Sequence, residues 1–368
     1  MTIRDGYVVQ IEPIQDAPGL PWLAPGFIDH QVNGFAGYDV NGEATAADSI
    51  QGLTEALWST GVTRYCPTII TNSEERIVRS LRAVAQACRE SPRTDASVVA
   101  VHVEGPFISP EDGPRGAHHP AFVRPPDWEE FLRWQDAAEG RIGIVTLSPE
   151  WPEATAFIEK LTEHGVMAAI GHTAAAPEQI RDAVKAGARM STHLGNGAHL
   201  TLPRHPNYIW EQLACDELWA GLIIDGFHLP PSVVKVMIRA KGLERVALTT
   251  DAVAMAGLEP GFYQLNGVDV ELTPEGKIQV VGGQGILAGS ALTMPVGIAN
   301  AMRFAGLSLA EAVSLATDRP AAMLGLADVA VAPGNRADVT LFNVDQTSGD
   351  LQIVATFLQG ELVYGSLP

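Results

Sequence analysis

Residues 142–192 read IGIVTLSPEWPEATAFIEKLTEHGVMAAIGHTAAAPEQIRDAVKAGARMST. Three short apolar runs, 142–147, 166–170 and 189–192, are separated by two segments with helical spacing, 152–164 and 177–186. Parallel neighbours need a connection long enough to hold a helix, so this alternation predicts a parallel sheet. The runs are apolar on both alternations, as strands buried on both faces require. Working outward, the same pattern places strands at 27–32, 62–67 and 98–102 on one side and at 218–224 and 246–250 on the other, with another helix at 73–89. Eight such strands predict an α/β chain built on a (β/α)8 barrel of the TIM type rather than an open doubly wound sheet.

The ends of the chain follow a different pattern. Residues 1–24 read as short strand with turn residues, and ADVTLFNV (337–344) with QIVATFLQGELVYG (352–365) read as strands again. The expected organisation is a small β-sandwich-like domain from 1–25 and 326–368, and a barrel over 26–325. A hairpin insertion near 262–284 is signalled by alternation around the Pro274–Glu275–Gly276 turn.

Composition narrows the function. Of 368 residues, 46% are hydrophobic and 18% charged, which suits a globular chain with a sizeable core. Lys plus Arg number 24 against 43 Asp plus Glu, a net charge of −19 that repels a phosphate backbone. No nucleic-acid partner is expected. Cys66, Cys88 and Cys215 are scattered and odd in number, so no disulfide framework is expected and a reducing, cytoplasmic setting fits. Arg4, Asp5 and Glu12 stand where a signal peptide needs an apolar stretch, and no run is long enough for a membrane span.

In a barrel of this type the chemistry sits at the C-terminal ends of the strands. The polar residues there are Glu104 in HVEGP, His172 in GHTAA, His193 in STHLGN and Asp251 in LTTDAV. Each has a plainer reading alone: a strand-end histidine as a hydrogen-bonded structural residue, an acid as the cap of the next helix. Together they form a metal-hydrolase set. Imidazole and carboxylate suit Zn²⁺ or Fe²⁺, and three protein ligands leave a coordination position open.

The first strand, PGFIDHQVNG (25–34), resembles the start of the amidohydrolase barrel, which usually reads PGFID-x-H-x-H. Gln31 and Asn33 stand at the two histidine positions. Strand alternation puts His30 on the opposite face, so it cannot replace either. Gln31 and Asn33 therefore read as vestigial second-metal positions, and one divalent ion held by Glu104, His172 and His193 is expected.

Over nearly its whole length the chain resembles the N-acetylglucosamine-6-phosphate deacetylases. The matching stretches are PGFIDHQVNG, HVEGPFISPEDGPRGAHHP, GHTAA, THLGN, DGFHLPP, LTTDAVAMAG, GILAGSALTM, ATDRPAAMLG and GNRADVTLFN. The resemblance implies a zinc-dependent (or iron-dependent) homodimer acting on a small amino-sugar substrate. Asp251 would be general base and then general acid, and His118 would help to stabilise the oxyanion. His228 would bind the phosphate, with Arg204 supplied from the neighbouring subunit. Asn196, Gly197, Leu287, Ala288 and Gly289 fall where the family meets its substrate. The chain departs from the family after THL, where Gly195–Asn196–Gly197–Ala198 replaces Tyr-Asn-Ala-Met. That departure leaves another N-acetyl amino sugar, such as the galactosamine 6-phosphate epimer or a non-phosphorylated sugar, as an alternative. A non-catalytic amidohydrolase-like binding protein is more remote, because all four site residues are present.

Overall fold

Eight parallel strands follow one another in sequence order: β1 (Phe27–Val32), β2 (Val62–Ile70), β3 (Val101–Glu104), β4 (Ile142–Leu147), β5 (Met167–Ile170), β6 (Met190–Ser191), β7 (Trp219–Leu222) and β8 (Val246–Leu248). They form one sheet in which each strand pairs with its neighbours in sequence. The structure, a computed structural model, describes residues 1–12, 19–265, 268–282 and 287–367. The seam between β8 and β1 is drawn together by residues just past β8. The Asp251 N–H donates to the Gln31 carbonyl at 3.0 Å, and the Asn33 N–H donates to the Ala252 carbonyl at 2.8 Å. The result is the expected TIM-type barrel.

Helices cover the outside. Glu74–Glu90 starts after Ser73, whose hydroxyl accepts from the Arg76 N–H, and Ile77, Leu81 and Val84 lie on its buried face. Pro177–Ala186 matches its expected bounds, with Pro177 in the first turn where a missing N–H costs nothing. The third strand begins three residues later than 98–102, because Pro92–Ser97 forms a helix that ends on Val98. Glu104 is consequently the last residue of β3 rather than a residue beyond it.

The chain ends share a four-stranded antiparallel sheet of Trp22–Pro25, Val339–Val344, Leu351–Leu358 and Glu361–Gly365. A hairpin of Thr2–Arg4 and Tyr7–Gln10 docks beside it, the Val8 N–H donating to Asn335 O at 2.9 Å. Residues 13–18 and 368, part of the expected terminal domain, lie outside the described residues. The sheet is tied to the barrel through Arg64 of β2, whose Nε donates to Asp338 at 2.8 Å and whose second nitrogen donates to Asp328 at 2.8 Å. The insertion is larger than a hairpin: Gly261–Leu265, Val268–Leu272 and Ile278–Val280 form a three-stranded antiparallel sheet. Residues 266–267 and 283–284 of the expected insertion lie outside the described residues.

Candidate metal centre and active site

The strand ends converge. Glu104 Oε1 lies 2.8 Å from His193 Nε2 and 3.2 Å from His172 Nε2, and the two Nε2 atoms are 3.1 Å apart. All three residues are buried. His172 Nδ1 lies 2.9 Å from the Pro114 carbonyl. A carbonyl can only accept, so Nδ1 carries the proton and Nε2 presents a lone pair inward. A lone pair facing a carboxylate oxygen is repulsive unless a cation lies between them, so this donor set fits a divalent metal ion. Burial alone would raise the Glu104 carboxyl, but the two imidazoles outweigh it and hold it well below the usual carboxylate range. Burial would likewise lower His193, and the Glu104 contact more than offsets it.

The backbone at these positions is unusual. His172, His193 and Asp251 have φ of 49°, 28° and 50°, in the left-handed region that non-glycine residues rarely occupy. Such backbone is held only where the surroundings over-determine it, and it concentrates at functional sites. Glycines make room around His172. A Cβ on Gly197 would meet its Nδ1 at 2.5 Å, and one on Gly116 would meet its Cε1 at 3.2 Å.

Asp251 closes the other side. Its Oδ1 accepts from Gln31 Nε2 at 3.0 Å and from Asn33 Nδ2 at 2.7 Å. Gln31 Nε2 also donates to Glu104 Oε1 at 3.0 Å, so one amide bridges Asp251 and the Glu/His/His group. Burial, then the nearby charge of Glu104, raises Asp251 to about 7. His118 Nε2 stands 3.2 Å from His172 Nε2, and burial lowers His118 to about 3, so it is a neutral imidazole at pH 7. His30 is fully buried, with neither ring nitrogen hydrogen-bonded among the described residues.

The remaining expected residues fall into four places. His228 lies against Asp225, its Nδ1 2.6 Å from the carboxylate. Asn196 turns back to donate to the His193 carbonyl at 3.2 Å, and Gly197 packs on the His172 ring. Ala288 is buried under Val253 and Met255, and a Cβ on Gly289 would meet Val253 at 2.3 Å. Leu287 is half-buried and bridges Gln279. Arg204 is exposed and makes no ion pair among the described residues. Its loop also carries Leu200, fully exposed.

Sequence reasoning missed the supporting layer. His102 Nε2 lies 2.7 Å from Thr146 Oγ1, which lies 2.7 Å from Thr192 Oγ1, beneath the two ligand histidines. Asp29 accepts from the Thr249 hydroxyl at 2.8 Å and from the Thr250 N–H at 3.2 Å. Only the oddity of polar residues inside apolar runs could have signalled them.

The Amidohydrolase family model matches residues 22–363. The N-acetylglucosamine-6-phosphate deacetylase of Bacillus subtilis (strain 168) is 32% identical over 352 residues, covering 95% of this chain and 86% of that protein. The N-acetylgalactosamine-6-phosphate deacetylase of Escherichia coli O157:H7 is also 32% identical, over 98% of this chain and 94% of that protein. Among solved structures, a mutant N-acetyl-D-glucosamine-6-phosphate deacetylase from Mycobacterium smegmatis, in complex with N-acetyl-D-glucosamine-6-phosphate, superposes with a TM-score of 0.86. It is 31% identical, over 98% of this chain and 93% of that one.

Proposed function

We propose that this chain, which belongs to the amidohydrolase family, hydrolyses the N-acetyl group of N-acetylglucosamine 6-phosphate to glucosamine 6-phosphate and acetate. The observation that carries the reading is the convergence of Glu104, His172 and His193 beside the buried Asp251 at the strand ends. The deacetylase relatives supply the substrate class.

Glu104, His172 and His193 would hold one divalent ion, Zn²⁺ in our reading and Fe²⁺ as the alternative. When bound there, such an ion would supply Lewis-acid polarisation of a carbonyl and would lower the pKa of a water toward neutrality. Asp251 takes the proton of the attacking water and returns it to the sugar nitrogen as the C–N bond breaks. Its raised pKa suits both roles. His118, neutral, donates one hydrogen bond to the oxygen on which charge develops. His228 faces the phosphate, and Arg204 reaches it from the partner in a homodimer; the exposed Leu200 beside Arg204 supports that reading. Asn196, Leu287, Ala288 and Gly289 contribute to the sugar pocket, and Gly197 keeps His172 in place. The barrel, 26–325, carries the chemistry, and the terminal domain supports it.

The galactosamine epimer is a second reading, because relatives acting on it match as well as those acting on the glucosamine form. Acetate release should be measured from both 6-phosphates and from free N-acetylglucosamine with metal-loaded protein. Each phosphate contact to a charged group is worth roughly tenfold, so a preference of about 100-fold or more for a phosphorylated sugar is expected. Equal rates on the free sugar would overturn the phosphate assignment.

A further inference from the structure

The sequence reads Gln31 and Asn33 as remnants of a lost metal site, but the structure gives their amides work. We infer that Gln31 and Asn33 are positioning residues that fix Asp251 for proton transfer, Gln31 fixing Glu104 as well. The inference rests on the function proposed above.

Gln31 Nε2 has two hydrogens, and two carboxylate oxygens lie 3.0 Å away: Glu104 Oε1 and Asp251 Oδ1. Both hydrogens are committed. Asn33 Nδ2 donates to the same Asp251 Oδ1 at 2.7 Å. That oxygen therefore accepts two bonds, while Oδ2 accepts none among the described residues. The two oxygens of a carboxylate are equivalent, so what these bonds fix is the plane of the group, with one oxygen engaged and the other free. The carboxylate is thus held in one orientation, and its unengaged oxygen is the one that receives and returns the proton. The backbone repeats the link, since the Asp251 N–H donates to the Gln31 carbonyl at 3.0 Å. The two amides also leave Gln31 Oε1 and Asn33 Oδ1 buried without a partner among the described residues. Buried polar atoms are rarely left so, and here the N–H ends are what the carboxylates require. Neutral donors hold two neighbouring carboxylates together without the charge of a second cation.

Because Gln31 touches both groups and Asn33 touches Asp251 alone, two variants of nearly unchanged shape separate the roles. The measurements are Zn²⁺ affinity by competition with a chromophoric chelator, and kcat and KM on N-acetylglucosamine 6-phosphate at saturating Zn²⁺. Asn33→Leu should lower kcat about tenfold or more, leaving KM and the Zn²⁺ Kd within about twofold. Gln31→Met should lower kcat likewise and also weaken the Zn²⁺ Kd about tenfold or more, as loss of a group supporting a metal ligand does. Wild-type kcat in either variant overturns the inference. So does Asn33→Leu losing Zn²⁺ affinity along with kcat, which marks a framework role, or Gln31→Met binding Zn²⁺ like the wild type. Should these variants misfold, Asn33→Asp and Gln31→Glu keep the size and replace a donor by an acceptor, and wild-type kcat there is equally fatal. If the wild type releases acetate from none of these sugars, the proposed function falls, while the Zn²⁺ affinity ratio still decides the Gln31 part.

Discussion

Asp251 and His30 sit on the same barrel seam and answer pH in different ways. Asp251 must be ionised to accept a proton, so turnover falls as pH drops through its pKa. Burial and Glu104 put that value at about 7 without a cation. A bound cation offsets the charge of Glu104, so the acid limb of kcat/KM in the loaded protein should have its midpoint below 7; a midpoint above 7 contradicts this electrostatic picture. Asp251→Asn should lower kcat by about 10²–10⁴-fold while metal content stays at the wild-type level. His30 affects stability instead. Burial, then the nearby His102 and His193, lowers it from 6.5 to about 3. Between those values the unfolded chain binds a proton that the folded chain refuses, so stability falls as pH drops from about 6.5 toward 3, by at most about 1.4 kcal/mol per pH unit. His30→Leu should flatten that fall in denaturant titrations at pH 7 and pH 5, and an unchanged fall would absolve His30. Glu104, His172, His193 and Asp251 were legible because each is a polar residue ending an apolar run. The work of Gln31 and Asn33 was not, because their partner lies about 220 positions along the chain and only barrel closure brings it near.

At the scale of elements, the ends of β3, β5, β6 and β8 each deliver one group, and the loops beyond the strands must hold those groups still. The loop after β6 does so by bringing Gly197 against the ring of His172. Gly197 has φ of 55° and no space for a side chain. Gly197→Ala should therefore displace His172 and weaken metal affinity about 10–100-fold, as read by chelator competition, with much of the fold retained. Wild-type affinity would mean that the ring has room to move. The strands were readable because burial on both faces makes them continuous apolar runs, and because helices of similar length repeat between them. Bounds failed where a neighbour intruded, as where the helix Pro92–Ser97 took Val98 from β3. The inserted sheet after β8 was readable as a turn with alternation, but its third strand, Ile278–Val280, is too short for a periodic signal.

Over the whole molecule, two distant parts of the sequence meet at Arg64. Its side chain is buried, and so is that of Asp338, which joins the barrel to the terminal sheet. Removing one partner of a buried pair leaves a charge without compensation, at about 3–5 kcal/mol. Arg336 also reaches Asp338, at 2.8 Å, so Arg64→Ala should cost about 3 kcal/mol, the low end of that range, in denaturant unfolding. A loss well under about 1 kcal/mol would show that the sheet is held by apolar contact alone. That the two chain ends share one sheet was legible from their β-rich patterns; the ion pair was not, since nothing local marks an arginine inside an apolar strand. No helix is long and apolar enough to cross a membrane among the described residues. The seam itself has an evolutionary reading. Residues 251 and 252 close the barrel through backbone N–H and carbonyl groups, whereas the chemistry at 251 belongs to a side chain. Asparagine tolerates left-handed backbone well, so a descendant that trades this carboxylate for an amide would keep its shape and its ligand pocket. One substitution at 251 is therefore enough to separate the shape of this barrel from its chemistry.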